Sequence, residues 1–410
     1  MEAMRVLNVQ SRVPYPLHDG GAMAMMSVMD MLARRPDVVY GVLAMNTTRH
    51  WVEPAVLGDC YGTLPHWWAP VDNRITLVGA IKNFVNRTPY HISRFWSDSF
   101  AEVFQNALAE FRPDLVLLEG LPLLEYLPLI RARSKAAIVY DAHNVEHLIW
   151  TRLADAEPNP LRRYYLREQV RRLKQYETSV LIGGKLDGVI TLTENDAATI
   201  RGIGYHGLLH VKPFALPLEQ YTPVYAPEEA PTLFHLGPLS WAPNRQGIEW
   251  FLAEVFPLVR IKVPWAEFYV AGHIPQSVRI SSSDGVHVLG PVPDAKEFMS
   301  QRSILVVPLR AGSGVRVKII EAMALGKAVV ATSIGAEGIA CSPGQDLLIA
   351  DTAEDFATAL SSLLLDPRRV EMIGRNARRY VEQYHDQQCV GNQLAAFLAT
   401  VVDYRRSTAA

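Results

Sequence analysis

Short β-branched runs alternate with longer stretches of helical periodicity along the chain. The first series reads RVLNV (5–9), VVYGVLAM (38–45), ITLVGA (75–80), DLVLLE (114–119), AAIVYD (136–141) and GVITLT (188–193). Apolar runs of this length suit strands buried on both faces, which a parallel sheet covered by helices provides. Apolar spacing predicts helices near 21–35, 97–111, 122–132, 161–182 and 194–203. A proline- and tyrosine-rich segment, HVKPFALPLEQYTPVYAPEEAP (210–231), then interrupts the rhythm, because proline removes backbone donors and stiffens the chain. A second series follows: TLFHLG (232–237), AEFYVAG (266–272), VHVLG (286–290), ILVVP (304–308), AVVAT (328–332) and DLLIA (346–350). Helices are expected near 245–259, 294–300, 315–325, 353–365 and 367–383, with another helical pattern over 387–405. Two α/β domains in series are the fold this pattern predicts.

Length agrees, since 410 residues exceed a usual single core. Hydrophobic residues at 49% and charged residues at 20% describe a chain that folds. A formal net charge of −2 advertises no nucleic-acid partner. Cys60, Cys341 and Cys389 form neither a disulfide framework nor a metal pair, which points to a reducing, cytoplasmic setting. The N-terminus lacks the apolar segment of a signal peptide, and no run approaches the roughly 20 apolar residues of a membrane span.

Candidate chemistry concentrates in ILVVPLRAGSGVRVKIIEAMALGKAVVATSIGAEGI (304–339). Gly312 and Gly314 permit close approach by a ligand. The helical pattern that follows has free N–H groups at its start, suited to phosphate oxygens, and Arg316 and Lys318 add charge-assisted contacts. Glu321 lies three residues beyond Lys318, and its carboxylate could accept from a ribose diol. The stretch is neither a P-loop nor a GxGxxG fingerprint. Taken alone, residues 312–321 read more readily as a turn whose charges cap and solvate a helix; the rest of the chain turns the balance to the ligand. Gly335 and Gly338 could bring backbone N–H groups to a ligand; Glu337 divides evenly between a hydroxyl contact and solvent, with Thr332 and Ser333 as weaker hydroxyl candidates.

That segment, together with HLGPLSWAPNRQGIEWFLAEVFP (235–257), YDAHNVEH (140–147) and HDGG (18–21), resembles the motifs of family 4 glycosyltransferases, the glycosyl transferases group 1. The resemblance implies a GT-B fold: two Rossmann-like, doubly wound domains facing a central cleft. It assigns 1–215 to an acceptor-side domain, 216–385 to a nucleotide-sugar-binding domain and 386–410 to a helix crossing back to the first. It further implies retaining transfer of a hexosyl-type sugar from a nucleoside-diphosphate sugar to an acceptor hydroxyl, on a saccharide or lipid-linked glycan as in polysaccharide biosynthesis. No cofactor and no catalytic metal are expected.

Within the resemblance, Arg316 and Lys318 stabilise the leaving diphosphate and Glu321 matches the second carboxylate of an E-x7-E pattern. Ser313 stands where the first carboxylate belongs, and Asn244 stands in the region of a usual lysine. His143 resembles the histidine that contacts the transferred sugar; Gly20 and Gly21 resemble a turn packing toward the diphosphate, with His18 and Asp19 beside it. Asp141, Asn144 and Glu146 read as loop-ordering or acceptor residues, and Trp241 as a wall of the donor site. Trp51, Trp67 and Trp68 divide between saccharide stacking and core packing, with packing ahead. His210, His235, His273 and His287 have no spacing that demands a metal. The basic, aromatic stretch LRRYYLREQVRRLKQYE (161–177) reads either as a solvated domain helix or as peripheral contact with the inner face of a membrane. A nucleotide-sugar epimerase or phosphorylase, or a noncatalytic nucleotide-sugar-binding regulator, stays open as an alternative. Donor base, sugar, acceptor and oligomeric state are left open by the sequence.

Overall fold

The computed structural model describes the chain except residues 1, 2, 18, 19, 77, 78, 80–82, 84–87, 226–230, 277, 279, 281–283, 312, 313 and 410. His18, Asp19, Gly312 and Ser313 therefore lie outside the described residues. The chain divides into two compact units, one of residues 1–213 with 390–410 and the other of 214–389.

In the first unit the apolar runs become parallel strands: β1 (Met4–Gln10), β2 (Val38–Thr47), β3 (His66–Val71), β4 (Leu115–Glu119), β5 (Ala137–Ala142), β6 (Gly188–Thr191) and β7 (Leu208–Val211). Their order is β3-β2-β1-β4-β5-β6-β7, so the winding direction reverses between β1 and β4. The register sets Gln10 beside Glu119, and Glu119 beside Asp141, at the carboxyl ends of β1, β4 and β5. The helix Asp98–Phe111 shows how the sequence builds a covering layer. Ser97 accepts from Phe100 N at its start, Phe100, Phe104, Ala107, Leu108 and Phe111 form its buried stripe, and Arg112 ends it with a left-handed φ of 48°. The last helix, Gln387–Ala409, joins this unit from Val390 onward. It buries Leu394, Leu398 and Val401 completely, and Phe397 stacks on His210 at 5.1 Å.

The second unit repeats the architecture with β8 (Leu233–Leu236), β9 (Phe268–Ala271), β10 (Val286–Gly290), β11 (Ile304–Val307), β12 (Ala328–Ala331) and β13 (Leu348–Ile349). These parallel strands lie in the order β10-β9-β8-β11-β12-β13, reversing between β8 and β11. Phe251, Phe256, Phe268 and Phe356 pack ring to ring in its core, at the separations aromatic pairs favour.

Three strand assignments differ from the sequence expectation, one of them β7, which runs into the head of the segment that reads as a boundary. ITLVGA forms no strand among its described residues: Ile75 is exposed and Gly79 is helical. A six-residue apolar run carries no period that separates strand from helix. The third strand is instead HWWAPV, whose Pro70 is tolerated because β3 is an edge strand. Trp67 in that strand donates Nε1–H to Glu110 at 2.9 Å and meets Phe111 edge-on, the packing role. The two doubly wound α/β units match the predicted fold class.

Candidate functional site

In the second unit the loops leaving β8 and β11 start on either side of the reversal, where open α/β sheets take their ligands. The β8 loop opens at Gly237; the β11 loop runs through Pro308 to Gly314 and into the helix Val317–Ala324. Backbone crowding explains the glycines. Gly237 and Gly272 hold φ values of 149° and 128°, and a Cβ on Gly272 would lie 2.3 Å from Gly237 O. One on Gly237 would lie 2.8 Å from Asn244 Nδ2 and 3.0 Å from Lys318 Nζ. Removing side chains here lets the strand ends approach the polar groups of the helix.

Lys318 stands at the centre of a small polar chain. Its ammonium donates to Asn244 Oδ1 at 3.1 Å and lies 3.4 Å from His235 Nε2. Asn244 Nδ2 donates to Pro238 O at 3.0 Å, so both ends of that amide are engaged within the protein and Asn244 steadies the lysine. His235 is fully buried. Its Nδ1–H donates to Val306 O at 2.9 Å, which leaves Nε2 as the acceptor facing Lys318. Burial and then the nearby Arg316 charge push the Lys318 pKa down to about 7; burial and then Lys318 push His235 well below its usual value. The site holds cationic character that an anion would reinforce.

Arg316 occupies the N-cap of the Val317–Ala324 helix, is 6% exposed, donates to Gly314 O at 2.9 Å and lies 5.3 Å from the centre of the Trp241 ring. Gly314 takes a left-handed φ of 81° just before it. One turn into the helix, partly exposed Glu321 accepts from Tyr221 Oη–H at 2.9 Å. Burial raises its pKa, and the tyrosine bond and Lys296 act against that rise. Thr332 is buried and Ser333 exposed, and both hydroxyls bond within the protein. Thr332 Oγ1 bonds Leu309 O and accepts from Gly335 N at 2.9 Å, while Ser333 Oγ donates to Asp351 at 2.6 Å. Thr332 ties the β12 loop to the β11 loop, and Ser333 ties it to the segment after β13. Glu337 lies in the turn after β12, partly exposed, between Gly335 and Gly338.

In the first unit the reversal between β1 and β4 carries a second polar cluster. Buried Glu119 accepts from Asn8 Nδ2 at 2.5 Å and pairs with His143 Nε2 at 3.2 Å. Asp141, beside it in register, holds the ammonium of buried Lys212. Burial opposes protonation of His143, as does Lys212. The hydrogen bond to Glu119 and the charges of Asp141 and Glu119 outweigh both, so its pKa moves up. Glu119, Asp141 and His143 each bring one ligand atom within 4.8 Å of the others, a set a divalent cation could use. Here Lys212 and the Asn8 amide occupy oxygens of those carboxylates, so the protein itself supplies the compensating charge.

The remaining candidates separate. Gly20 and Gly21 are the first residues of the helix Gly20–Ala33. Glu146 and His147 open the helix Glu146–Ala156, where Glu177 accepts from both backbone N–H groups and from His147 Nδ1 at 2.6 Å. Burial and then Glu177 raise the Glu146 pKa to about 7. Glu119, Lys212 and Tyr221 were not singled out from the sequence. Glu119 did carry a signal, a lone carboxylate closing an apolar strand; Tyr221 and Lys212 sit in a stretch that reads only as a boundary.

Residues 230–366 match the family described as glycosyl transferases group 1. Over 87 residues the chain is 33% identical to D-inositol 3-phosphate glycosyltransferase of Rhodococcus opacus (strain B4), covering 21% of this chain and 20% of that protein. The aligned stretches span no more than 42% of the curated relatives' own length. Likeness of structure reaches much further. Sucrose-phosphate synthase from Thermosynechococcus elongatus superposes with a TM-score of 0.67 at 17% identity, covering 99% of each chain. HepE of Anabaena in complex with UDP-glucose gives 0.62 at 16% identity, covering 97% of this chain and 100% of that one. The fold is the GT-B fold.

Proposed function

We propose that the protein is a retaining family 4 glycosyltransferase that moves a hexosyl-type sugar from a nucleoside-diphosphate sugar to a hydroxyl of a saccharide or lipid-linked glycan. The observation that carries this reading is the placement of Arg316, Lys318 and Glu321 on one short helix at the sheet reversal of the second unit. The match to glycosyl transferases group 1 over that unit supports it, as does a structural relative that holds UDP-glucose.

The diphosphate would lie at the start of the Val317–Ala324 helix, with backbone N–H groups and the Arg316 and Lys318 cations around it. Glu321 would accept from the ribose hydroxyls. Cleavage of the C1–O bond leaves the electron pair on the nucleoside diphosphate, so its negative charge grows as positive charge develops at the sugar ring. Cations fixed before the reaction stabilise that separation without reorganising. The acceptor oxygen bonds to C1 on the face the phosphate leaves, and its proton passes to the departing phosphate oxygen. His143, held by Glu119, would address the transferred sugar. No step calls for a metal. Arg316→Ala is expected to lower kcat about a hundredfold, the scale of one lost electrostatic donor, with the melting temperature little changed. A folded variant with wild-type turnover would refute the assignment.

Peripheral contact with an anionic membrane is a second proposal. In the helix Pro160–Ile182, Leu161 is 81% and Tyr164 74% exposed beside Arg162 and Arg167, while Gln169, Leu173, Glu177 and Leu181 take the buried side. An exposed apolar tip beside Arg162 and the Asp155-paired Arg167 suits an anionic surface. No described helix is long and apolar enough to cross a bilayer. Co-sedimentation with phosphatidylglycerol vesicles and none with phosphatidylcholine is expected, and loss of binding in Leu161→Ser/Tyr164→Ser; equal behaviour with both lipids removes the proposal.

A further inference from the structure

Tyr221 is the one polar group from outside the Val317–Ala324 helix that the described structure sets directly on Glu321. It lies on a strap within the boundary segment (210–231), just after the short turn Leu218–Gln220. The ring is 3% exposed, and its hydroxyl donates to Glu321 Oε1 at 2.9 Å.

The strap is fixed from three sides. Arg378 bonds Tyr221 O and Ala324 O, both at 2.6 Å, joining the strap to the end of the Glu321 helix. Lys296 lies 4.3 Å from the centre of the Tyr221 ring and donates to Gln220 Oε1 at 3.1 Å. Val224 N donates to Leu325 O at 3.0 Å. A phenol held this firmly sets the rotamer of the carboxylate it meets. It also favours the charged carboxylate, because a hydrogen bond donated to an oxygen stabilises the ionised form against burial.

We infer that Tyr221 is a positioning residue for donor recognition: it holds Glu321 in one orientation, so that the free oxygen, Oε2, receives the ribose diol of a nucleoside diphosphate. The inference rests on the reading of Glu321 as the ribose ligand. It makes the site selective for ribonucleotides, since a sugar without the diol leaves a partly buried, oriented carboxylate without its partners. Tyr221 itself touches no substrate. Its contribution exists only while the diol is present.

The test is a four-way comparison by calorimetry. Wild-type protein and Tyr221→Phe are titrated with UDP, GDP and ADP, and with the 2′,3′-dideoxy form of whichever of the three binds tightest. Phenylalanine keeps the ring and its contact with Lys296, and a melting curve checks that the fold is kept. The wild type is expected to bind the ribonucleotide at least tenfold tighter than the dideoxy form. Tyr221→Phe should lose about tenfold for the ribonucleotide, the scale of a hydrogen bond to a charged group, and nothing for the dideoxy form.

Three other outcomes overturn the inference in distinguishable ways. Equal losses for both nucleotides would make Tyr221 a general structural support. A wild type that discriminates, with a variant that matches it on both ligands, would leave Glu321 as the ribose ligand and dismiss Tyr221. A wild type indifferent to the diol, or binding none of the three diphosphates, would remove the Glu321 reading and this inference together.

Discussion

Lys318 has its pKa at about 7 when no anion is bound. A diphosphate favours the charged form, so binding draws in a proton wherever the free lysine is neutral. Donor affinity is therefore expected to be greatest below about pH 7 and to fall as pH rises above it, with proton uptake visible as a buffer-dependent calorimetric enthalpy. Lys318→Met should abolish that part of the pH dependence. Without ligand, the folded lysine titrates below its unfolded counterpart, so the unfolded chain binds more protons between pH 7 and about 10.4 and stability gains from this group as pH rises through that range. His143 behaves in the opposite sense. Its pKa is raised, and the groups around it are Glu119 on β4, Asp141 on β5, Lys212 after β7 and Glu146 at the following helix. Glu119→Gln removes the carboxylate that receives the His143 hydrogen bond. The alkaline limb of kcat should move to lower pH, and an unmoved limb would show that the pair only packs.

Among elements, the strand ends are the most demanding. Gly272→Ala would drive a Cβ to 2.3 Å from Gly237 O at a φ of 128°, so it should destabilise the protein by about 1–3 kcal/mol in urea denaturation. It should also weaken donor binding through Gly237. The apolar runs from 304 to 332 were legible as β11 and β12 because their bounding loops are rich in glycine and polar residues, and the helix between them followed from its spacing. Arg316 and Glu321 were legible for the same reason, being charged residues in a short apolar helix. The third strand was not, because its tryptophans and Pro70 imitate a loop at an edge position. Lys318's neighbours were unreadable too. Asn244 stands in the region of a usual lysine, and the structure engages its amide with Lys318 and Pro238, an arrangement only tertiary packing sets. Tyr221 is the plainest case: it lies 100 residues before its partner, in a segment whose composition signals only a boundary.

For the whole molecule, the chain's last helix belongs with its first residues: from Val390 it packs into the first unit, burying Leu394, Leu398 and Val401. Leu398→Ala is expected to cost about 2–5 kcal/mol, as for other fully buried leucines. Hydrogen exchange should quicken in β5 and β6 and stay unchanged in β8 and β11; uniform quickening would contradict this division. The two polar clusters divide in the same way. Groups suited to a diphosphate and ribose sit at the reversal of the second sheet, and an acid–imidazole cluster sits at the reversal of the first. Calorimetric titration of the wild type and an Arg316→Ala/Lys318→Met double variant with UDP, GDP, ADP and dTDP probes the diphosphate site most directly. At least one nucleotide should bind the wild type saturably and the double variant at least a hundredfold more weakly. Equal affinity for both proteins, with both folded, would place the diphosphate elsewhere.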